Sequence, residues 1–404
     1  MAALWSISPF NLSGDSLIYS EIPLAAPANI VCQILQPPLL RSTGETHHER
    51  ADGILNDVRP IFHAELVNRT FGDPGVLVDL KFERRALLFD IGDITVLPTR
   101  KLLRVSDVFV SHTHMDHFSG FDHLLRVCLG RDRGVSLYGP EKFITHLEHK
   151  LAAYTWNLVE NYETEFVIVA HEIDGLGGVQ RARFRSAKRF QCEALPRASA
   201  PQGVLLETPL FLVRCAPLQH HDITSLAFAF EESVHINVWK NRLDELRLPT
   251  GPWLTELKKR VREGAPDSTR IRVQWRTRNG PRVQEMELGE LKQKVLEFVP
   301  GQKICYVTDA ADNEHNRAAL AAFLRGADLL FIEATFLDAD RSHAERKAHL
   351  TARAAGAIAR AAGIKSAVPF HFSPRYLGRE AELRGEFSKA WLNPQNGVPD
   401  QPWS

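Results

Sequence analysis

His112-Thr-His-Met-Asp-His117 is the run that decides how this chain folds. It follows the apolar segment 108–110, so it reads as the end of a β-strand opening into a loop that carries four side chains able to hold a metal ion. Two imidazoles two residues apart point the same way on extended backbone, and Asp116 and His117 beyond them can turn toward a second position. One short loop can therefore serve two metals. Seventeen histidines in 404 residues will cluster by chance now and then. Four ligand-type residues within six, after an apolar strand and before Gly120, are costly to place without a metal to satisfy them.

Composition sets the frame. A chain of 404 residues exceeds the usual single core, so one large domain with insertions, or a domain plus an extension, is expected. Lysine plus arginine equal aspartate plus glutamate at 49 each, so the overall field announces no polyanionic partner, and any nucleic-acid surface has to be local. Five widely spaced cysteines form no paired metal motif and argue for a reducing compartment. With no basic leader ahead of a long apolar run, and no stretch of about 18 apolar residues, the expectation is a cytoplasmic protein with no membrane partner.

Residues 1–60 mix proline, serine and scattered apolar residues without periodicity and are expected to form an N-terminal extension, in which the His47-His48 pair is solvated. The main domain is then 61–404. Apolar runs at 75–82 and 86–89 read as strands, the second closing on Asp90-Ile-Gly-Asp93, where Asp90 is either a carboxylate bonding the ligand loop from behind or a plain turn residue. Helical spacing follows at 121–129, a strand at 135–138 and a helix at 141–151. Alternation of this kind, with chemistry at strand ends, indicates an α/β layer protein.

The second half repeats the pattern. A strand at 210–215 feeds Gln219-His220-His221-Asp222; a strand at 303–307 ends in Thr308-Asp309; an apolar run at 327–332 ends in Glu333-Ala-Thr-Phe336; a helix at 348–362 carries His349 near its start; and a strand at 366–370 ends in His371-Phe-Ser-Pro-Arg-Tyr376. Residues 235–300 interrupt this order with a basic, turn-rich stretch and read as an inserted arm. Arg181, Arg183 and Arg185 alternate along a strand, with Lys188 and Arg189 beyond, either as a solvated face or as a ribbon facing phosphates.

The run His112-x-His114-x-Asp116-His117 resembles the signature of the metallo-β-lactamase superfamily. Within it, Glu333-Ala-Thr-Phe, His349-Leu-Thr-Ala and His371-Phe-Ser-Pro-Arg-Tyr are similar in order and spacing to the closing motifs of ribonuclease Z, over residues 65–380. The resemblance implies a metallo-β-lactamase-type αββα sandwich with an inserted arm, an endonuclease that trims the 3′ trailer of precursor tRNA by means of a metal-activated hydroxide, and two Zn2+ ions. It implies His112, His114 and His221 on one zinc, with His221 preferred to His220 because Asp-Ile-Thr-Ser-Leu-Ala-Phe follows it. Asp116, His117 and His371 fall on the other, and Asp309 bridges. His349, oriented by Glu333, is then the candidate proton donor to the leaving oxygen, and Asp116 the holder of the nucleophile's proton. Arg375 is either a phosphate contact or half of an ion pair. A homodimer is also implied. The competing expectations are a superfamily hydrolase of a small phosphodiester, lactone or thioester, and a noncatalytic RNA- or protein-binding module on the same fold.

Overall fold

Eight strands in chain order build the first sheet: β1 (Phe62–Leu66), β2 (Val76–Leu80), β3 (Ala86–Phe89), β4 (Val105–Phe109), β5 (Arg133–Gly139), β6 (Phe166–Ile173), β7 (Gly178–Arg185) and β8 (Cys192–Ser199). The computed structural model describes residues 62–392, apart from 82, 176, 278 and 279. The expected extension, 1–60, with its His47-His48 pair, lies outside the described residues. Strands β3 to β6 run parallel and their flanks antiparallel. Both faces of the parallel centre are covered, which is why these strands read as unbroken apolar runs rather than as alternating ones.

The second sheet takes β9 (Val204–Glu207), β10 (Phe211–His220) and β11 (Ile223–Glu232) from before the inserted arm. The arm itself carries β12 (Val234–Val238), β13 (Arg270–Thr277), β14 (Gly280–Glu287) and β15 (Leu296–Pro300). The chain then returns with β16 (Lys303–Val307), β17 (Leu329–Glu333) and β18 (Ser366–Phe370), giving the order β18-β17-β16-β11-β10-β9. The three late strands are parallel, and β11 meets β16 antiparallel.

Side-chain alternation divides each sheet between two cores. On β3, Ala86 and Leu88 join the helices Phe121–Cys128 and Phe143–Ala152 through Phe121, Leu125 and Leu147, while Leu87 and Phe89 face the second sheet. Between the sheets Phe89, Phe109, Phe228 and Tyr306 pack ring against ring, with centroids 5.3–6.1 Å apart. The outer face of the second sheet packs on the helices Glu314–Phe323, Ala352–Ala361 and Glu380–Leu392. The layers are helix, sheet, sheet, helix, as the αββα expectation requires.

The arm has a core of its own, in which Trp253, Leu257, Val273 and Leu291 are buried among the arm's own elements. It leaves and rejoins the body through the antiparallel pair β12 and β15, with Val238 opposite Leu296. Among the described residues no helix is long and apolar enough to cross a membrane.

Candidate metal centre

Six strands end at one edge of the sandwich, and each delivers a titratable side chain within two or three residues of its end. Strand β3 leads to Asp90, β4 to the loop starting at His112, β10 ends in His220, β16 leads to Asp309, β17 ends in Glu333 and β18 leads to His371. Asp90, Asp309 and His371 have φ of 55°, 42° and 57°. This left-handed backbone is unfavourable for residues with a Cβ, and its recurrence at one edge marks a site whose surroundings enforce it. It turns each side chain back across the sheet edge.

Donor atoms from these ends converge. His112, His114, His220 and Asp309 form one group, Asp116, His117 and His371 a second, and Asp309, Glu333, His349 and His371 a third, the atoms of each lying within 4.8 Å of one another. Asp309 stands between them. Its Oδ2 lies 3.6 Å from His112 Nε2 and 3.7 Å from His220 Nε2, whereas its Oδ1 lies 3.4 Å from His117 Nε2 and 3.1 Å from His371 Nδ1. Asp116 Oδ2 is 3.6 Å from His117 Nε2 and 3.4 Å from His371 Nε2.

The ring atoms His112 Nε2 and His117 Nε2 are buried and have no hydrogen-bond partner. Orphaned buried nitrogens are expensive, and a shared cation is what both would satisfy. Imidazole and carboxylate donors of this mix suit a divalent ion of zinc type, so the residues present fit a metal cofactor.

The loop is held from behind. Asp90 Oδ1 accepts the Ser111 backbone N–H at 2.6 Å, and Oδ2 accepts the Ser111 hydroxyl, the His117 Nδ1–H and the Tyr306 hydroxyl, each at 2.8 Å. That bond fixes the His117 tautomer and leaves its Nε2 for the centre. The turn 90–93 also fits against the loop closely: a Cβ on Gly120 would stand 2.0 Å from the Gly92 carbonyl oxygen, and one on Gly92 would stand 2.1 Å from that of Asp116. On the other side, Glu333 Oε1 accepts the Ala310 N–H at 2.7 Å, and Oε2 accepts the Thr335 hydroxyl at 2.6 Å and His349 Nδ1–H at 2.9 Å.

Charge in this edge is balanced by proximity. Burial pushes His112 down to about 2, aided by the neighbouring His117, and lowers His220 as well. Burial acts the same way on His117, but the Asp309 and Asp90 carboxylates outweigh it and hold that ring well above its usual range. Against burial, Asp309 likewise brings His371 up to about 10, and His117 and His371 in turn hold Asp309 well below the usual carboxylate range. The carboxylates thus make this edge a place that favours positive charge, as a cation site requires. His349 is raised too, burial being outweighed by Glu333.

One expected member is elsewhere. His221 is exposed, and its Nε2–H donates to the Arg346 carbonyl at 2.8 Å; His220 occupies the place expected of it. The reason is strand alternation. Strand β10 continues through His220, which pairs with Ile223 and shares a buried face with Leu218, so His221 falls in the two-residue turn. Extending the alternation from Leu218 would have found it. His112, His114, Asp116, His117, Asp309 and His371 are brought together as expected, and His349 meets Glu333.

Two other expectations resolve toward structure. On β7, Arg183 pairs with Glu193 and Arg185 with Glu165, and beyond it Arg189 pairs with Glu160, so these three are matched by acids rather than open to phosphates, while Arg181 Nε is buried without a hydrogen-bond partner. Arg375 Nη1 lies 3.5 Å from Asp340 Oδ1, an ion pair. Tyr306, which closes the network behind Asp90, carried no local signal in the sequence.

The centre opens into a cleft of about 640 Å³ whose walls include Phe71, Phe336, Arg346 and Lys347 as well as His114 and Asp116. An αββα sandwich with a His- and Asp-built centre at its strand ends is a metal-dependent hydrolase of the β-lactamase superfamily, and residues 286–372 match the model of the beta-lactamase superfamily domain. The chain is 30% identical to "Ribonuclease Z" of Deinococcus radiodurans over 321 residues, covering 76% of this chain and 91% of that one. It is also 30% identical over 313 residues to "Ribonuclease Z" of Prochlorococcus marinus, covering 74% and 81%. It belongs to the ribonuclease Z family. Among solved structures, the metallo-beta-lactamase fold protein YhfI from Bacillus subtilis aligns at 16% identity with a TM-score of 0.44, covering 81% of this chain and 92% of that one.

Proposed function

We propose that this protein is a dinuclear zinc endoribonuclease that removes the 3′ trailer of precursor tRNA. The observation that carries the reading is the division of labour at Asp309, whose two oxygens face two separate imidazole groups. His112, His114 and His220 would hold one ion and Asp116, His117 and His371 the other, with Asp309 between them. Bound there, a pair of divalent ions supplies an acidified water and neutralises charge on both the attacking and the leaving oxygen of an in-line displacement.

The chain's own residues do the rest. Asp116, half exposed at the mouth of the cleft, takes the proton released as a water oxygen attacks phosphorus. The P–O3′ bond breaks with its electron pair going to O3′, and His349 supplies a proton to that oxygen from Nε2, since its Nδ1 is committed to Glu333. The products are a 3′-hydroxyl on the tRNA and a 5′-phosphate on the trailer. Arg346 and Lys347 on the rim offer cations to the RNA backbone without reading sequence. Cys128, Cys192, Cys215 and Cys305 are free thiols, which fits work in a reducing compartment such as the cytoplasm.

The test is incubation of the zinc-loaded protein with a 3′-extended precursor tRNA, alongside small phosphodiesters, lactones and thioesters. Cleavage directly after the discriminator base is the expected result. Turnover of a small ester with the precursor left intact would overturn the reading.

A further inference from the structure

His221 does not join the centre, yet it is held in a conformation with a specific contact. Its φ is 52°, unfavourable for a residue with a Cβ, and from there the ring reaches a carbonyl 125 positions away in the chain. That carbonyl belongs to Arg346, in the last turn of the helix Arg341–Lys347, where the helix itself provides no donor. The preceding residue does the same thing one step further on: His220 Nδ1–H donates to the Ala348 carbonyl at 3.0 Å. Ala348 is itself left-handed, with φ 53°, and closes the helix through bonds from Ala348 N to Glu345 O and from His349 N to Ala344 O. The consecutive pair His220-His221 therefore grips two carbonyls of the three residues that lead directly into His349.

We infer that His221 is a positioning residue for the proton-transfer step: by capping the Arg346 carbonyl it fixes the helix end from which His349 projects, and so sets where His349 Nε2 meets the leaving oxygen. The inference rests on the reading of His349 as proton donor. Its contacts fix only half of that placement, because Glu333 orients the ring about Nδ1 while the backbone that carries the ring is fixed from β10. A small displacement of a proton donor is enough to cost it its contribution to rate.

The experiment uses two substrates on the zinc-loaded full chain: precursor tRNA, whose alkoxide leaving group needs a proton, and a nitrophenyl phosphodiester, whose leaving group departs as an anion. His221→Gly removes the donor while relieving the left-handed backbone. It is expected to lower kcat on precursor tRNA about tenfold with KM, zinc content and Tm unchanged, and to leave the nitrophenyl ester untouched. His221→Gln, whose side-chain amide can donate to the same carbonyl, is expected to recover most of the loss. His349→Ala, run in parallel, must show the same substrate discrimination, and more strongly. If His349→Ala discriminates and His221→Gly does not, the positioning role is wrong while the donor stands. If His349→Ala fails to discriminate, the donor reading and the inference fall together. A rise in KM with kcat unchanged, or lost zinc, in His221→Gly would make it a binding or metal residue and overturn the inference.

Discussion

His117 donates its Nδ1–H to Asp90 Oδ2 across 2.8 Å, and both side chains are wholly out of solvent. Their separation in sequence is 27 residues, and the bond decides which ring nitrogen faces the centre. Asp90 accepts four hydrogen bonds in all and offers no hydrogen of its own.

Replacing Asp90 with Asn tests that arrangement without disturbing the backbone, because Asn tolerates the left-handed conformation found there. An amide brings two N–H donors into a position surrounded by donors, so some bonds must be lost. Zinc affinity is expected to fall about 10- to 100-fold, read with a competing chelator. Wild-type affinity would make Asp90 a turn carboxylate and nothing more.

Gly120→Ala examines the fit between the ligand loop and the turn behind it. The added Cβ would meet the Gly92 carbonyl at 2.0 Å, and neither backbone can yield without moving Asp116 or His117. The expected cost is about 3 kcal/mol of unfolding free energy in urea, the upper end of ordinary overpacking. A loss under about 0.5 kcal/mol, typical of surface changes, would show the contact to be soft.

Much of this centre was legible because it lies where apolar strands stop. An unbroken run such as 86–89 or 303–307 followed by acid or imidazole marks both a buried strand and its functional end, and the structure keeps those ends together on one edge. Local pattern fails where partners come from far away. The acids that neutralise Arg183, Arg185 and Arg189 sit on β8 and in the connections before β6, and Tyr306 reaches Asp90 across 216 residues. The choice between His220 and His221 lay between these cases. Motif likeness favoured one, while the strand's alternation favours the other, and alternation is the physical constraint.

Metal removal should register in stability as well as activity. His112 Nε2 and His117 Nε2 find no hydrogen-bond partner within the chain, and an ion that binds the folded state alone stabilises it by RT times the logarithm of one plus the ratio of free ion to its dissociation constant. At zinc about 100-fold above its dissociation constant the gain is about 2.7 kcal/mol, visible as a higher Tm than in excess chelator. Replacing His220 with Ala should erase most of that difference, whereas His221→Gly should keep it. Full retention in the His220 variant would remove it from the centre.

Deleting the basic arm tests whether it holds RNA separately from the chemistry. Val238 on β12 lies directly opposite Leu296 on β15, so residues 239–295 can be replaced by a two-residue Asn-Gly turn that closes the hairpin in register. The arm's buried residues pack mainly on one another, with Ile236 and Leu296 the members left behind on the stub, and changing both to Thr avoids an exposed apolar patch. The shortened protein is expected to fold, bind zinc and hydrolyse a nitrophenyl phosphodiester as the full chain does. Its KM for precursor tRNA should rise, and its dependence on salt should weaken by roughly one unit of logarithmic slope for each phosphate contact that the arm's lysines and arginines make. Equal losses on both substrates would mean that the arm supports the catalytic edge itself. An unchanged KM and salt slope would mean that the RNA is held entirely by the cleft rim, where Arg346 and Lys347 stand.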